Sequence, residues 1–241
     1  VMLLIREPVR RPSESKIEGA TNTEELIAFY KANSKTILFH HIGNLSLLMT
    51  GFAFVFWSIT FFVRVHDVDA AQASQTFGWI YIFFGPLGPL LIAYLANHLS
   101  QKGHYDAHMT AGMLGGIVTI PTILLIQMAP SPLWAFIFYA PALAAVNSPF
   151  GIAAGALPVI TPPHLRARVA AVYMLTGAIG MMFGPPLAGA FNEFIFPGAD
   201  GVRYSMITMT CFFGLIGILF LHLGRKHYAL SMKNAESWDG A

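Results

Sequence analysis

Charge is what this chain has least of. Asp, Glu, Lys and Arg make up 11% of its 241 residues, where a soluble domain carries about a quarter, and that shortage excludes an ordinary water-soluble fold. The only cysteine is Cys211, which excludes an intrachain disulfide framework. No Gly-x-x-x-x-Gly-Lys-Ser/Thr phosphate loop is present, so ATP coupling by that device is excluded. The fourteen Lys and Arg residues are spread through short segments between apolar stretches, without the basic stripe of a nucleic-acid binder. A cleavable signal peptide is not expected, because the apolar start is short and its basic residues follow it instead of preceding it.

What the chain has in quantity is apolar: 55% of its residues, with 22 glycines and 15 prolines among them. Six stretches, 36–63, 74–96, 109–128, 133–160, 169–194 and 204–223, are nearly free of charge over about 20 residues or more, the length a helix needs to cross hydrocarbon. The expected fold is all-α: a polytopic membrane protein with a cytoplasmic segment 1–35, a six-helix bundle over 36–224 and a cytoplasmic tail 225–241. Lys and Arg collect on the cytoplasmic side of a membrane. Twelve of the fourteen lie before the first stretch, in alternate loops and in the tail, against Arg64 and Arg203 in the opposite loops. That alternation predicts both termini in the cytoplasm. Before the first stretch, residues 22–35 carry Glu24 and Glu25 early and Lys31 and Lys35 late, a charge order that suits a short helix. It reads as an interfacial helix or as a cytosolic extension of the first span.

A repeat is visible. Phe84-Gly85-Pro86-Leu87-Gly88 lies in the second stretch and Phe183-Gly184-Pro185-Pro186-Leu187 in the fifth, each the middle member of three. Three crossings are odd, so the second triplet would be inverted relative to the first, a 3+3 inverted repeat of the kind found in secondary transporters. The spacings Gly151-x-x-x-Gly155 and Gly180-x-x-x-Gly184 allow close helix packing in their own right.

The order of these features resembles the carboxy-terminal six-helix half of a major facilitator superfamily (MFS) transporter. Val1 to Arg11, VMLLIREPVRR, looks like the end of that fold's sixth helix running into a basic central loop. The segments Trp57-Ser58-Ile59-Thr60-Phe61-Phe62-Val63-Arg64 and Pro163-His164-Leu165-Arg166-Ala167-Arg168 resemble the Spinster-like and organic-anion branches. The family's charged loop motif corresponds to 93–102 here, where Asn97 stands among replaced residues and Lys102 alone keeps a fixed positive charge. The resemblance implies secondary transport of a small solute, with a proton or other coupling ion as a possible companion. It also implies plasma-membrane location and no cofactor. Because the fold needs two six-helix halves, it implies a second half, from another chain or a second copy; a truncated or non-transporting packing partner is the alternative.

No Asp, Glu, Lys or Arg lies deep in a stretch, so polar and titratable neutral groups are the site candidates. His40 and Asn44 share a helical face and are read as cavity residues at the cytoplasmic mouth, His40 as a titrating group; the alternative for His40, together with His41, is a polar residue at the headgroup level. Tyr139 and Asn147 are polar groups in the fourth stretch, which by resemblance helps line a central cavity; Tyr173 and Thr176 are weaker candidates. Asn97, Lys102, Arg166 and Arg168 are cytoplasmic-face or gating candidates, and Trp57 reads as an aromatic belt residue. His104 and His108 have the spacing of a helical metal pair, but too few grouped histidines accompany them for a membrane metal enzyme. No catalytic residue or resident metal is expected.

Overall fold

The computed structural model describes residues 22–239, with side chains described for 23–152 and 155–235. The expected helix end and basic loop at 1–21 lie outside the described residues. Among those described there is no strand. The α-helices are α1 (Asn22–Ala32), α2 (Ser34–His66), α3 (Ala70–Phe84), α4 (Leu87–Gln101), α5 (Ala107–Gln127), α6 (Pro132–Ile160), α7 (Arg166–Ala190) and α8 (Gly201–Asp239). A 3-10 turn, Pro163–Leu165, leads into α7, and a π-helical turn, Phe191–Ile195, follows it.

Among the described residues six segments are long and apolar enough to cross a membrane: Ser34–His66, Ala70–Gln101, Ala107–Gln127, Pro132–Ile160, Pro163–Ile195 and Gly201–Ala235. Each contains or closely overlaps one expected stretch. Several run further than hydropathy indicates, because a charged residue limits the lipid-buried part of a helix and not the helix itself. Thus α8 continues through Arg225, Lys226 and Lys233.

Local chemistry sets the breaks. At the end of α2, Asp67 is left-handed (φ 54°) and the Val68 N–H donates to the Phe62 carbonyl at 3.1 Å, a closure that terminates helices and that Asp tolerates better than bulky residues. Two residues on, Asp69 Oδ1 accepts from the N–H groups of Ala71 (2.9 Å) and Gln72 (3.1 Å), capping α3. The second span is interrupted where Pro86, without an N–H, cannot bond the preceding turn.

The neighbour pattern is regular. Numbering the crossings in order, span 1 (α2) lies against span 6 (α8) and span 5 (α7), while span 4 (α6) lies against span 3 (α5) and span 2 (α3 and α4). Spans 3 and 6 also pack together, and spans 1 and 4 cross. Exchanging 1 with 4, 2 with 5 and 3 with 6 returns the same set of neighbours. Glycine makes the closest approaches. A Cβ at Gly88 would overlap the Ala144 carbonyl, joining span 2 to span 4, and one at Gly184 would lie 2.6 Å from the Met49 carbonyl oxygen, joining span 5 to span 1. Between spans 1 and 4, a Cβ at Gly51 would lie 3.1 Å from the Val146 carbonyl oxygen.

Two cores result. One, towards the Asp67 turn, contains Phe54, Phe61, Phe62, Phe77, Tyr139 and Met206; the other, towards the start of α2 and the end of α8, contains Phe29, Ile37, Met109, Leu157, Leu221 and Tyr228. The latter end, here the terminal end, is tied by polar links. The Thr36 and Ser231 hydroxyls meet at 2.8 Å, joining α2 to α8. The short helix α1 is distinct from α2, separated by Asn33, and docks on the turn before α7 through His164 Nε2, which donates to buried Glu25 at 3.0 Å.

Asp106 precedes α5 and accepts from Arg225 Nε of α8 at 2.7 Å and from the Thr110 hydroxyl at 3.1 Å. Burial pushes its carboxyl up, but the Arg225 hydrogen bond and charge, with Thr110, outweigh this and hold it below the usual value. A depressed folded-state pKa contributes stability above the unfolded value, and that contribution disappears as pH falls through the folded value. The pair is partly exposed, so its worth is about 1 kcal/mol or less. Thermal unfolding of Asp106→Asn should therefore match that of the parent below the carboxylate range and fall slightly short of it near neutrality; an unchanging difference across pH would show that the pair contributes no linked stability.

Candidate functional site

The buried face of α2 follows one periodic line: Thr36, His40, Gly43, Leu47, Gly51, Phe54, Ser58 and Phe61 are all buried, at the three- and four-residue spacings of a single helix face. The line runs against α8, since a Cβ at Gly43 would meet the Leu221 side chain at 2.7 Å and Gly217 lies against Leu47. His40 is fully buried on this line, inside the bundle and not at a lipid-facing position. Asn44, also fully buried, donates from Nδ2 to the His40 carbonyl at 3.0 Å, leaving its Oδ1 without a protein partner.

The structure does not gather the candidate residues into one place. Tyr139 belongs to the other core: its ring stacks on Phe77 with centroids 4.2 Å apart and on Phe54 at 5.2 Å. Asn147, two turns further along α6, donates from Nδ2 to the Leu143 carbonyl at 3.0 Å and is nearly buried, at 8% exposure. Asn97, Lys102, Arg166 and Arg168 are all exposed at the terminal end, with Arg166 Nε donating to the Thr161 carbonyl at 3.1 Å. His104 precedes α5, whereas His108 lies within it, so the two do not share a helix. Among the described residues no group of three or more His, Cys, Asp or Glu side chains is placed to hold a metal.

Two features have no counterpart in the sequence pattern. The Trp57 indole N–H donates to the Pro185 carbonyl at 2.9 Å, so this side chain joins span 1 to the double-proline segment of span 5. It borders a groove of about 700 Å³ with Arg64, Gly189, Asn192 and Glu193 at the Asp67 end. At the terminal end, the Tyr228 hydroxyl donates to the Ala156 carbonyl at 2.8 Å and lies 3.2 Å from His108 Nδ1, connecting α8, α6 and α5. Pairings between residues 72 and 120 positions apart leave no local sequence signal; the one available cue is a tyrosine in phase with an apolar helix face.

The spans differ sharply in what they leave open. In the most apolar part of spans 1 and 4, 61% and 62% of residues are buried within the protein, against 22% in each of spans 2 and 5. Spans 2 and 5 thus present broad outer surfaces, including Trp79, Phe83, Leu90 and Tyr94 on one and Met174, Met181 and Phe183 on the other.

No protein-family profile matches the sequence, and no curated protein matches it. Solved structures do. A bacterial homologue of the human lysosomal transporter Spinster, inward-facing and unoccupied, superposes with a TM-score of 0.59 at 19% identity, over 96% of this chain and 55% of that one. The same kind of homologue in an inward-facing, occupied conformation gives a TM-score of 0.59 at 17% identity, over 83% and 49%. The chain therefore spans about half the length of the structures it matches. Its fold is that of about one half of these transporter structures.

Proposed function

We propose that this chain moves a small solute across a membrane by alternating access, as the carboxy-terminal half of a major facilitator transporter. The observation that carries the reading is the fold match to about half of a transporter. The neighbour pattern, unchanged when spans 1, 2 and 3 are exchanged with 4, 5 and 6, supports a 3+3 inverted repeat, the arrangement in which one triplet rocks against the other. The exposed faces of spans 2 and 5 are the surfaces a second six-helix half would cover. Asn147, His40 and Asn44 are the polar groups proposed to serve the solute path. Tyr139 would serve it from within the aromatic core, and Asn97, Lys102, Arg166 and Arg168 would act at the cytoplasmic face. The proposed divisions remain a cytoplasmic segment to residue 35, the bundle over 36–224 and a cytoplasmic tail, in the plasma membrane.

Uptake tests the reading directly. Asn147→Leu should lower solute uptake by the assembled protein several-fold at unchanged amounts of inserted protein; unchanged uptake would remove Asn147 from the path. Orientation is tested separately. Cysteines at Ala70 and Ala199 should react with a membrane-impermeant thiol reagent from outside, and one at Gly103 should not; the reverse pattern would invert the topology. Because the chain matches half of its structural relatives, a packing role without transport is the second reading. Mass measurement in nanodiscs with identification of co-purifying chains separates the two: a stable pair of six-span units favours transport, and a lone unit favours the second reading.

A further inference from the structure

Four polar atoms at the seam between α2 and α7 are buried with no protein partner: both ring nitrogens of His40, Nε2 of His41 and the hydroxyl of Tyr173. The three rings form a compact triangle, with centroids 5.6 Å apart for His40 and His41, 5.5 Å for His40 and Tyr173 and 5.9 Å for His41 and Tyr173. Leaving such groups unpaired is costly, and nothing in the transport reading so far uses His41 or Tyr173.

Hydrogen-bond accounting fixes what each ring offers. His41 Nδ1 lies 2.9 Å from the Ile37 carbonyl, which can only accept, so Nδ1 carries the hydrogen and Nε2 presents a lone pair. The neighbouring His108 of α5 is engaged differently. The Tyr228 hydroxyl donates its hydrogen to Ala156, so its oxygen accepts from His108 Nδ1. His41 is partly exposed while His40 is fully buried, so His41 is the ring nearer to water, although its Nε2 is itself covered.

We propose that Nε2 of His41 is the binding site of a coupling proton, and that its neighbours make the proton-loaded form incompatible with a closed α2–α7 seam. This rests on the transport reading and names its coupling ion. A proton from water adds to the Nε2 lone pair; no other bond breaks, and Nδ1–H stays on Ile37. The new N–H then needs an acceptor, which the Tyr173 oxygen or entering water supplies. The titratable rings facing His41 are His40 of its own helix and Tyr173 of α7, with His108 of α5 beside His40 and Tyr228 of α8 behind His108. None of these is a carboxylate. A positive charge on His41 therefore has only neutral or like-signed neighbours, and a buried uncompensated charge is strongly disfavoured. Loading separates the helices and admits water; release lets them close.

Thr176, buried on α7 one turn beyond Tyr173, reports the seam. In a Cys211→Ala background, Thr176→Cys is labelled with a water-soluble maleimide in nanodiscs from about pH 8 to about pH 5.5, across the histidine range. The rate is divided by that of the same chain carrying His41→Gln, which cancels the thiol's own pH dependence. The ratio should be near one in alkali and rise several-fold in acid; a flat ratio overturns the proposal. Nitrogen-15 spectra of histidine-labelled unmutated chain give a second measurement: Nε2 of His41 should change from bare to protonated over the same range, and a nitrogen still bare at the acid end overturns it equally. Neither measurement uses solute, so a negative result here leaves the uptake test of Asn147→Leu standing, and the converse also holds.

Discussion

Gly88→Ala, the smallest side chain that can be added, should be among the most damaging substitutions in the protein. The new Cβ would overlap the Ala144 carbonyl, and a backbone atom cannot swing aside as a side-chain tip can. Inserting a methyl group into packed structure costs about 1–3 kcal/mol and occasionally more; a backbone clash belongs at the upper end, about 3 kcal/mol. For a chain of this size that corresponds to a thermal midpoint lower by about 6–12 °C. Gly78→Ala is the matched control on the same span. Nothing lies within 4 Å of its Cβ position, and the swap should leave the midpoint unchanged or raise it slightly, since alanine restricts the unfolded chain by about 0.4–1 kcal/mol. Equal small effects at both positions would mean that α4 does not rest on α6 backbone to backbone.

The second large effect is expected at Tyr139. Its ring is 2% exposed, stacks on Phe77 and Phe54, and meets Phe62 edge-on at 6.4 Å. Tyr139→Ala should cost about 3–5 kcal/mol, the range for emptying a large aromatic site, and it should loosen α3 from α6 because Phe77 is its partner across that contact. Tyr139→Phe keeps the ring and removes a hydroxyl that lies beside Ser58, a change of about 1 kcal/mol. Thermal unfolding of the two variants separates a packing role from a polar one. Should Tyr139→Phe lower uptake while leaving the midpoint in place, the hydroxyl serves the solute path; should it change neither uptake nor midpoint, the ring alone matters.

The spans are legible in the sequence because lipid forbids charge, and a run of some 20 residues free of Asp, Glu, Lys and Arg seldom occurs outside a membrane. Their ends are less legible. Arg225, Lys226 and Lys233 mark where the last helix leaves hydrocarbon, yet α8 continues past all three. Site residues are harder still. Polar character identifies His40, Asn44, Tyr139 and Asn147, but not which neighbour each faces, and the structure places only Tyr139 within an apolar core. For His40 a usable signal exists: the spacing Thr36, His40, Gly43, Leu47, Gly51 is one helix face and points to burial against another helix. For Trp57 there is none, because its partner Pro185 lies 128 residues away. The same holds for Glu25 with His164 and Asp106 with Arg225, whose partners only the tertiary fold brings together.

The long last helix has a practical consequence. Thirty-nine residues of α-helix extend about 58 Å, roughly twice the thickness of a bilayer's hydrocarbon. Its lower part is fixed to the rest of the protein through Ser231 and Tyr228. A rigid soluble protein continued in helical register from Ala235 would inherit one orientation relative to the bundle. That would supply an alignment marker for electron cryomicroscopy of a 26.3 kDa chain otherwise hidden in its lipid disc.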